Sequence, residues 1–483
     1  MAALVFVGAM TAGCSGDDLT AETPQLPDTA GGTVVTKVTV SLDEHASTRM
    51  LDPSGMKTFE EGDKIAVIYK NTAGETMKAE SAALNSFDIL SSNSAKFSVT
   101  LTNPQANTPV RYIYPASMAA DDVSTTTADN DATIKWSNLA SQSGGFSFIS
   151  EHVDLAVFDG TMTAQAVLPA ATLENPLTIG AFTITNSATN DEITDNVKKL
   201  IVNDGTNTYT LEGGWSTVIF VAMKPISKTQ TVTIKAITAD NKFIKSVTNK
   251  ELAKNTKYDI NVSMTARYPL AVTDASVSSD DIGSVIGADG NIYLNAAAAA
   301  AASPATTAVA MITYVGSANA ESSPYTHGLA LALSDANGGY IQWKTENSDA
   351  GHTWQTNRNN FTSESGLQYN NAAHNTDTYP AFKAAMANNG TTKPTNCSDW
   401  FLPTAYQWNQ MIDACKNVLG TKNSYEDLRD GFNSVGGTNM ELREYWSSTE
   451  DGINTVWNYP FNLGYWALKA KDSYSYVRSA LAF

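Results

Sequence analysis

Lys257-Tyr258-Asp259-Ile260-Asn261-Val262-Ser263-Met264 is the stretch whose pattern decides the fold class. Tyr258, Ile260, Val262 and Met264 fall on one face of an extended chain and Lys257, Asp259, Asn261 and Ser263 on the other, because strand side chains alternate with a period of two. Residues 34–42 repeat the pattern, with Val38, Val40 and Leu42 interleaved with Lys37, Thr39 and Ser41. Shorter segments of the same kind lie at 64–69, 96–101, 110–114, 217–223 and 231–237. Short strands separated by turn residues, with no sustained helical period, predict β-sandwiches.

Composition sets the bounds. A chain of 483 residues exceeds what one hydrophobic core can organise, so two to four domains are expected. Hydrophobic residues make up 42% and charged residues 17%, a balance that favours β-structure with polar turns over charged helical bundles. The formal charge of -18 excludes nucleic acid and anionic membrane surfaces as natural partners, since both select a positive protein face.

At the N-terminus an apolar run from Met1 to Met10 meets Thr11-Ala12-Gly13-Cys14 and then polar sequence. Residues 1–13 read as a signal peptide. The small residues before Cys14 resemble the lipobox of bacterial lipoproteins, although Thr11 stands where Leu is usual. That resemblance implies lipidation of Cys14 and attachment to the outer membrane. No basic residue opens the segment, which implies a natural start further upstream. Ser15-Gly16-Asp17-Asp18 resembles the signal that sends such lipoproteins to the cell surface in Bacteroides-type bacteria. Residues 14–33, with Pro24, Pro27 and a glycine pair, read as a tether.

A loop-like run at 119–145 and a fresh start of strand pattern after Val153 divide the β-rich portion into sandwiches at 34–155 and 156–268. Four motifs carry a resemblance here: Ser47-Thr48-Arg49, the run from Phe59-Glu60-Glu61-Gly62-Asp63 to Val67, Arg111-Tyr112-Ile113-Tyr114-Pro115, and the closing strand led by Leu252-Ala253-Lys254-Asn255. Together with the first strand they resemble the fimbrillin family of Bacteroides-type pilins and surface lipoproteins. The resemblance implies transthyretin-like sandwiches, proteolytic maturation after Arg49, and assembly with other fimbrial subunits by donor-strand exchange. Arg49 reads equally well as an exposed loop arginine of a lipoprotein that never polymerises.

Seven of the nine tryptophans lie beyond residue 340, so 269–483 is a different domain. Asn295 caps an alanine run from Ala296 to Ala302, and Asn291 to Leu294 reads as a strand. Thr404 and Gln407 form a capping box, after which Trp408, Met411, Ile412, Cys415 and Leu419 make one apolar helix face and Gly420 offers a stop. A further helix is expected at 379–389. Asp399-Trp400-Phe401-Leu402-Pro403-Thr404, Gln407-Trp408, Tyr445-Trp446-Ser447-Ser448-Thr449-Glu450, Val477-Arg478 and Leu481-Ala482-Phe483 resemble a domain of bacterial surface proteins related in fold to C-type lectins and the sulfatase-modifying-factor family. The expected fold is therefore mainly β, two tandem fimbrillin-type sandwiches and then an α+β C-type-lectin-like domain.

Catalytic signatures are missing: there is no Gly-x-Ser-x-Gly elbow and no phosphate loop, so neither an enzyme nor a cofactor is expected. His45, His152, His327, His352 and His374 lack the close spacing that seats two on one metal, and no metal is expected. Cys397 and Cys415 either form a disulfide, if their Cα atoms approach within about 7 Å, or are small buried hydrophobes. Trp400, Trp408 and Trp446 sit in the motifs and are assigned to the core. Trp343, Trp354 and Trp457, with His352, lie in polar, Asn-rich stretches and are the candidates for stacking on a sugar. These features describe a surface-exposed fimbrial tip or accessory subunit that adheres to a host or bacterial glycan or protein through its last domain. The alternative is a non-polymerising lipoprotein that binds polysaccharide.

Overall fold

The computed structural model describes residues 32–43, 58–153, 155–336, 339–416 and 418–483. Cys14, Arg49 and most of the tether lie outside them. The chain is mainly β and divides into two compact units.

The first unit draws on Met1–Ser137, Val153–Thr178 and Lys254–Thr256. Strand Thr33–Leu42 lies at the heart of one of its two four-stranded sheets. It pairs antiparallel with Ser94–Thr102, from Thr33↔Thr102 to Ser41↔Ser94, and parallel with Ala171–Leu173. Its alternation does what the sequence predicts: Val38, Val40 and Leu42 are buried, while Thr39 and Ser41 between them are only partly covered. They pack with Phe97, Val99 and Leu101 against Val67, Tyr69, Tyr112 and Tyr114 of the second sheet, which makes a sandwich. Phe59 plugs one end, its ring 5.3 Å from Phe97 and 5.2 Å from Tyr114.

Strand Ala66–Lys70 is buried on both faces. Val67 and Tyr69 enter the sandwich core, whereas Ala66 and Ile68 join Ile113, Ala119, Val123, Ala128 and Ile134 in an outer cluster. The run at 119–145 therefore begins as a cover over the second sheet. Arg111 pins that cover by donating to the carbonyl oxygens of Asp129 and Asn130, both at 2.8 Å, while two further N–H groups meet Asp159 at 2.6 and 3.0 Å.

The boundary expected at residue 155 is overturned. Strand Ala156–Thr161 pairs with Pro109–Tyr114 from Tyr114↔Ala156 to Pro109↔Thr161, so it completes the first unit. Residues Asn138–His152 belong instead to the second unit. There Ser141–Gln142 pairs parallel with Thr208–Glu212, and the Gln142 amide bonds both the N–H and the carbonyl of Ala222. A period of two reports that a segment is a strand, but not which sheet receives it.

The second unit holds a three-stranded sheet of Ile219–Met223, Thr178–Asn186 and Thr256–Met264 and a five-stranded sheet that includes Val232–Ile237 and Lys242–Val247. It continues without a separate linker into the C-terminal part, so the expected division at residue 268 is bridged. Arg267 grips Asp281, Lys235 meets the Asp280 carboxylate, and Asn241 donates to the Tyr268 carbonyl at 2.8 Å.

The C-terminal part is built on a six-stranded sheet whose last three strands are Ala308–Val315, Gly328–Ala332 and Ala480–Ala482. Helix Ala405–Cys415 packs on it, burying Trp408, Met411, Ile412 and Cys415 with Met311, Leu329, Leu331 and Phe483. Both halves of the predicted capping box are present. The helix stops at Cys415, short of Gly420, because Lys416 turns to extended backbone. Cys397 and Cys415 are free, buried thiols, so the disulfide is not formed. The Cys415 thiol donates to the Thr313 carbonyl at 3.3 Å, and burial pushes the Cys397 thiol up to about 12.

Thr404→Ala removes an acceptor for Gln407 N–H and a donor to the Glu364 carbonyl. Its expected cost is about 1 kcal/mol, measured as a lower urea midpoint in tryptophan fluorescence.

Candidate ligand-binding face

Strand Glu444–Glu450 carries the Tyr-Trp-Ser-Ser-Thr-Glu motif and pairs with Thr455–Pro460, with a bulge between Trp446 and Glu450. Alternation fails here, since every motif side chain is buried. Bulged backbone re-aims side chains and leaves N–H and C=O groups for other partners. The Trp446 indole donates to the Ile341 carbonyl at 2.8 Å. Ser447 O accepts the Trp343 indole at 2.8 Å, and Thr449 Oγ1 accepts the Ala405 N–H at 2.9 Å at the start of the helix.

Glu450 ends the strand as a fully buried carboxylate paired with a fully buried Lys471 ammonium. The desolvation of two such charges is offset only when each also fills its remaining hydrogen-bond positions. Glu450 accepts N–H groups from Ala350 at 3.1 Å and His352 at 3.0 Å. Lys471 donates to the carbonyls of Ser348 at 3.0 Å and Ile453 at 2.7 Å. A second buried lysine, Lys344, donates to Ser348 Oγ and Asp349 O, both at 2.7 Å. The Gln355 N–H reaches the Glu450 carbonyl at 2.8 Å. Residues 348–355 are thereby tied to Glu450 through Ala350, His352 and Gln355, and to the two lysines through Ser348 and Asp349.

This lattice places the four ligand candidates differently from expectation. Trp343 is fully buried and Trp457 nearly so, its indole donating to the Gln355 carbonyl, and His352 is buried as well. None of the three offers a ring face to a ligand, because other rings cover them: Phe382 lies 4.9 Å from Trp343, Phe361 5.5 Å from Trp457 and Tyr369 3.6 Å from His352. Trp354 is 46% exposed. The Asp349 carboxyl beside it is held below the usual carboxylate range, chiefly by the Gly351 N–H, with the Trp354 indole adding a hydrogen bond.

Two of the histidines meet although 22 residues separate them. His352 and His374 stand Nε2 to Nε2 at 3.0 Å. Tyr369 stacks on His352 at 3.6 Å and donates its hydroxyl to Glu364. Burial pushes His352 down to about 3 and lowers His374, while it raises Glu364. Of these groups, sequence signalled Glu450 through its motif and His352 through its Asn-rich surroundings. Lys471, Glu364, Tyr369 and His374 lie in stretches without a pattern.

No family profile and no curated protein matches the chain. Among solved structures, a fimbrial assembly protein from Parabacteroides distasonis is similar at 11% identity, over 48% of this chain and 92% of its own, with a TM-score of 0.28. A candidate cell adhesion protein from Bacteroides ovatus is similar at 10% identity, over 48% and 94%, with a TM-score of 0.29.

Lys471→Met leaves the Glu450 carboxylate buried and unpaired. A loss of about 3–5 kcal/mol is expected in denaturant unfolding, and adding Glu450→Gln recovers part of it.

Proposed function

We propose that this chain is a surface-exposed adhesive subunit, positioned at the tip of a fimbria or accessory to it, that engages a glycan or a glycan-bearing protein through its C-terminal part. The observation that carries the reading is Trp354, half exposed on a segment whose backbone is fixed by a buried ion pair. An indole held in place stacks on the apolar face of a pyranose without first losing much freedom of its own. Lipidation of Cys14 would hold the chain at the outer membrane before assembly.

On this reading the first unit joins the fibre. Strand Thr33–Leu42 is bonded on both sides and fills the sandwich with Val38, Val40 and Leu42, so its removal after cleavage at Arg49 would open an apolar groove lined by Phe97, Leu101 and Leu173. A neighbour's strand with the same alternation fits such a groove by backbone pairing and by its pockets for alternate side chains.

Treatment of the purified chain with an arginine-specific protease, with the new N-terminus read by mass spectrometry, is expected to give one cut after Arg49 and a folded remainder. Cuts scattered over many loops would remove the assembly step and leave a monomeric polysaccharide-binding lipoprotein. On a glycan array, Trp354→Ala is expected to lower binding about 10-fold with unchanged circular dichroism. Binding equal to the parent chain would remove Trp354 from the site.

A further inference from the structure

Strand Ile341–Gln342 pairs antiparallel with Tyr474–Ser475, Ile341 opposite Ser475 and Gln342 opposite Tyr474. The same register sets Tyr340 opposite Tyr476, and their rings lie 4.6 Å apart. Side chains alternate along strands, and this ribbon follows the rule. Ile341, Ser475 and Val477 turn inward, Ile341 and Val477 packing with Trp343 and Trp446. Tyr340, Gln342, Tyr474 and Tyr476 therefore share the other face. Tyr340 is 40% and Tyr474 55% exposed, whereas Tyr476 is half-buried and stacks at 5.5 Å on the buried Tyr445.

We propose that this face binds an uncharged glycan, with the tyrosine rings stacked on successive pyranoses. The proposal rests on the reading that the C-terminal part engages glycans, and it adds a second contact separate from Trp354. These four outward residues supply three rings with hydroxyl groups and one amide, and no aliphatic side chain. A protein partner selects an apolar pocket for its anchors, whereas a sugar offers CH groups to the negative face of a ring and hydroxyls to its polar edge. Charge narrows the class further. Arg443, Glu444 and Glu441 act on Tyr340, and Lys469 pairs with Glu444 at 2.6 Å, so two positive and two negative groups balance around the face. On a chain of formal charge -18, a polyanion finds nothing there to offset its repulsion.

The ribbon is held in place before any ligand arrives. Tyr476 donates its N–H to the Glu444 carbonyl at 2.8 Å and accepts the Trp446 N–H at 2.9 Å. Lys469 donates to the Tyr474 carbonyl at 2.7 Å and to Ser475 Oγ at 3.2 Å. Gln342 Nε2 donates to the Asp472 carbonyl at 2.8 Å, which aims its amide and assigns Oε1 to a sugar hydroxyl. The ribbon is thus bonded to the Glu444 end of strand Glu444–Glu450, and residues 348–355 to its Glu450 end. Those ends lie about 20 Å apart. A polysaccharide spans both contacts and a disaccharide only one, so affinity rises with ligand length through effective concentration.

The test titrates the full chain with soluble polysaccharides: dextran, mannan and galactan as uncharged probes, polygalacturonate and hyaluronan as acidic ones. Saturable binding of at least one uncharged polymer is expected. Tyr340→Ala and Tyr474→Ala are each expected to weaken it about 10-fold with unchanged circular dichroism, while Tyr474→Trp retains it. Loss in the tyrosine variants alone supports the site and removes Trp354. Loss in Trp354→Ala alone overturns the site and keeps Trp354. Binding confined to the acidic polymers would also overturn it, as would self-association in sedimentation velocity that Tyr474→Ala abolishes while no polysaccharide binds. A parent chain that neither binds a polysaccharide nor self-associates removes the glycan reading as a whole, and this site with it.

Discussion

A carboxylate and an ammonium that never meet water, Glu450 and Lys471, set the terms for the C-terminal part. Their mutual attraction is insufficient alone, because each group has more hydrogen-bonding positions than one partner fills. The positions left over must be met by backbone. Glu450 therefore draws in the amides of Ala350 and His352, and Lys471 the carbonyls of Ser348 and Ile453. Segments about a hundred residues apart, as the Glu450–His352 contact is, acquire one geometry from a single pair. Once the amide of His352 is placed, its ring is aimed at Ser448 O and the neighbouring Trp354 is left facing outward.

The first unit rests on a different kind of interaction. Val38, Val40 and Leu42 are held by burial, which is non-directional, and by backbone pairing, which is common to every strand. Any strand with the same alternation meets those two requirements. No substitute segment reproduces the contacts of residues 348–355, since they need polar groups at particular places. The proposed division of labour rests on this difference: exchange belongs where the contacts are generic, and recognition where they are particular.

The same difference explains how much could be read from sequence. Alternation at 34–42 and 257–264 gave strands at Thr33–Leu42 and Thr256–Met264, and the Thr404–Gln407 capping box gave the start of a helix, because all these signals are local. The sheet that takes Ala156–Thr161 and the destination of Ser141–Gln142 depend on long-range pairing, so the boundary drawn at 155 failed. Trp343 and Trp457 sit in polar sequence, yet both are buried, each indole N–H donating to a backbone carbonyl from a distant segment. His352 and His374 are separated by 22 residues and share no helix face, so their contact is not legible from spacing.

A site for an extended polar ligand needs an aromatic face that is accessible and does not wander. Those demands conflict on an ordinary loop, where exposure and mobility go together. On the proposed reading the conflict is resolved beneath the surface. Residues 348–355 are anchored from below by buried charges, and they expose one indole. Ordering a loop on binding costs about 0.5–1.5 kcal/mol for each side chain immobilised, and that cost is met in folding, by Glu450 and Lys471, before any ligand arrives. A tryptophan has only two side-chain torsions to restrain, so Trp354 on this frame contributes contact area at small entropic cost.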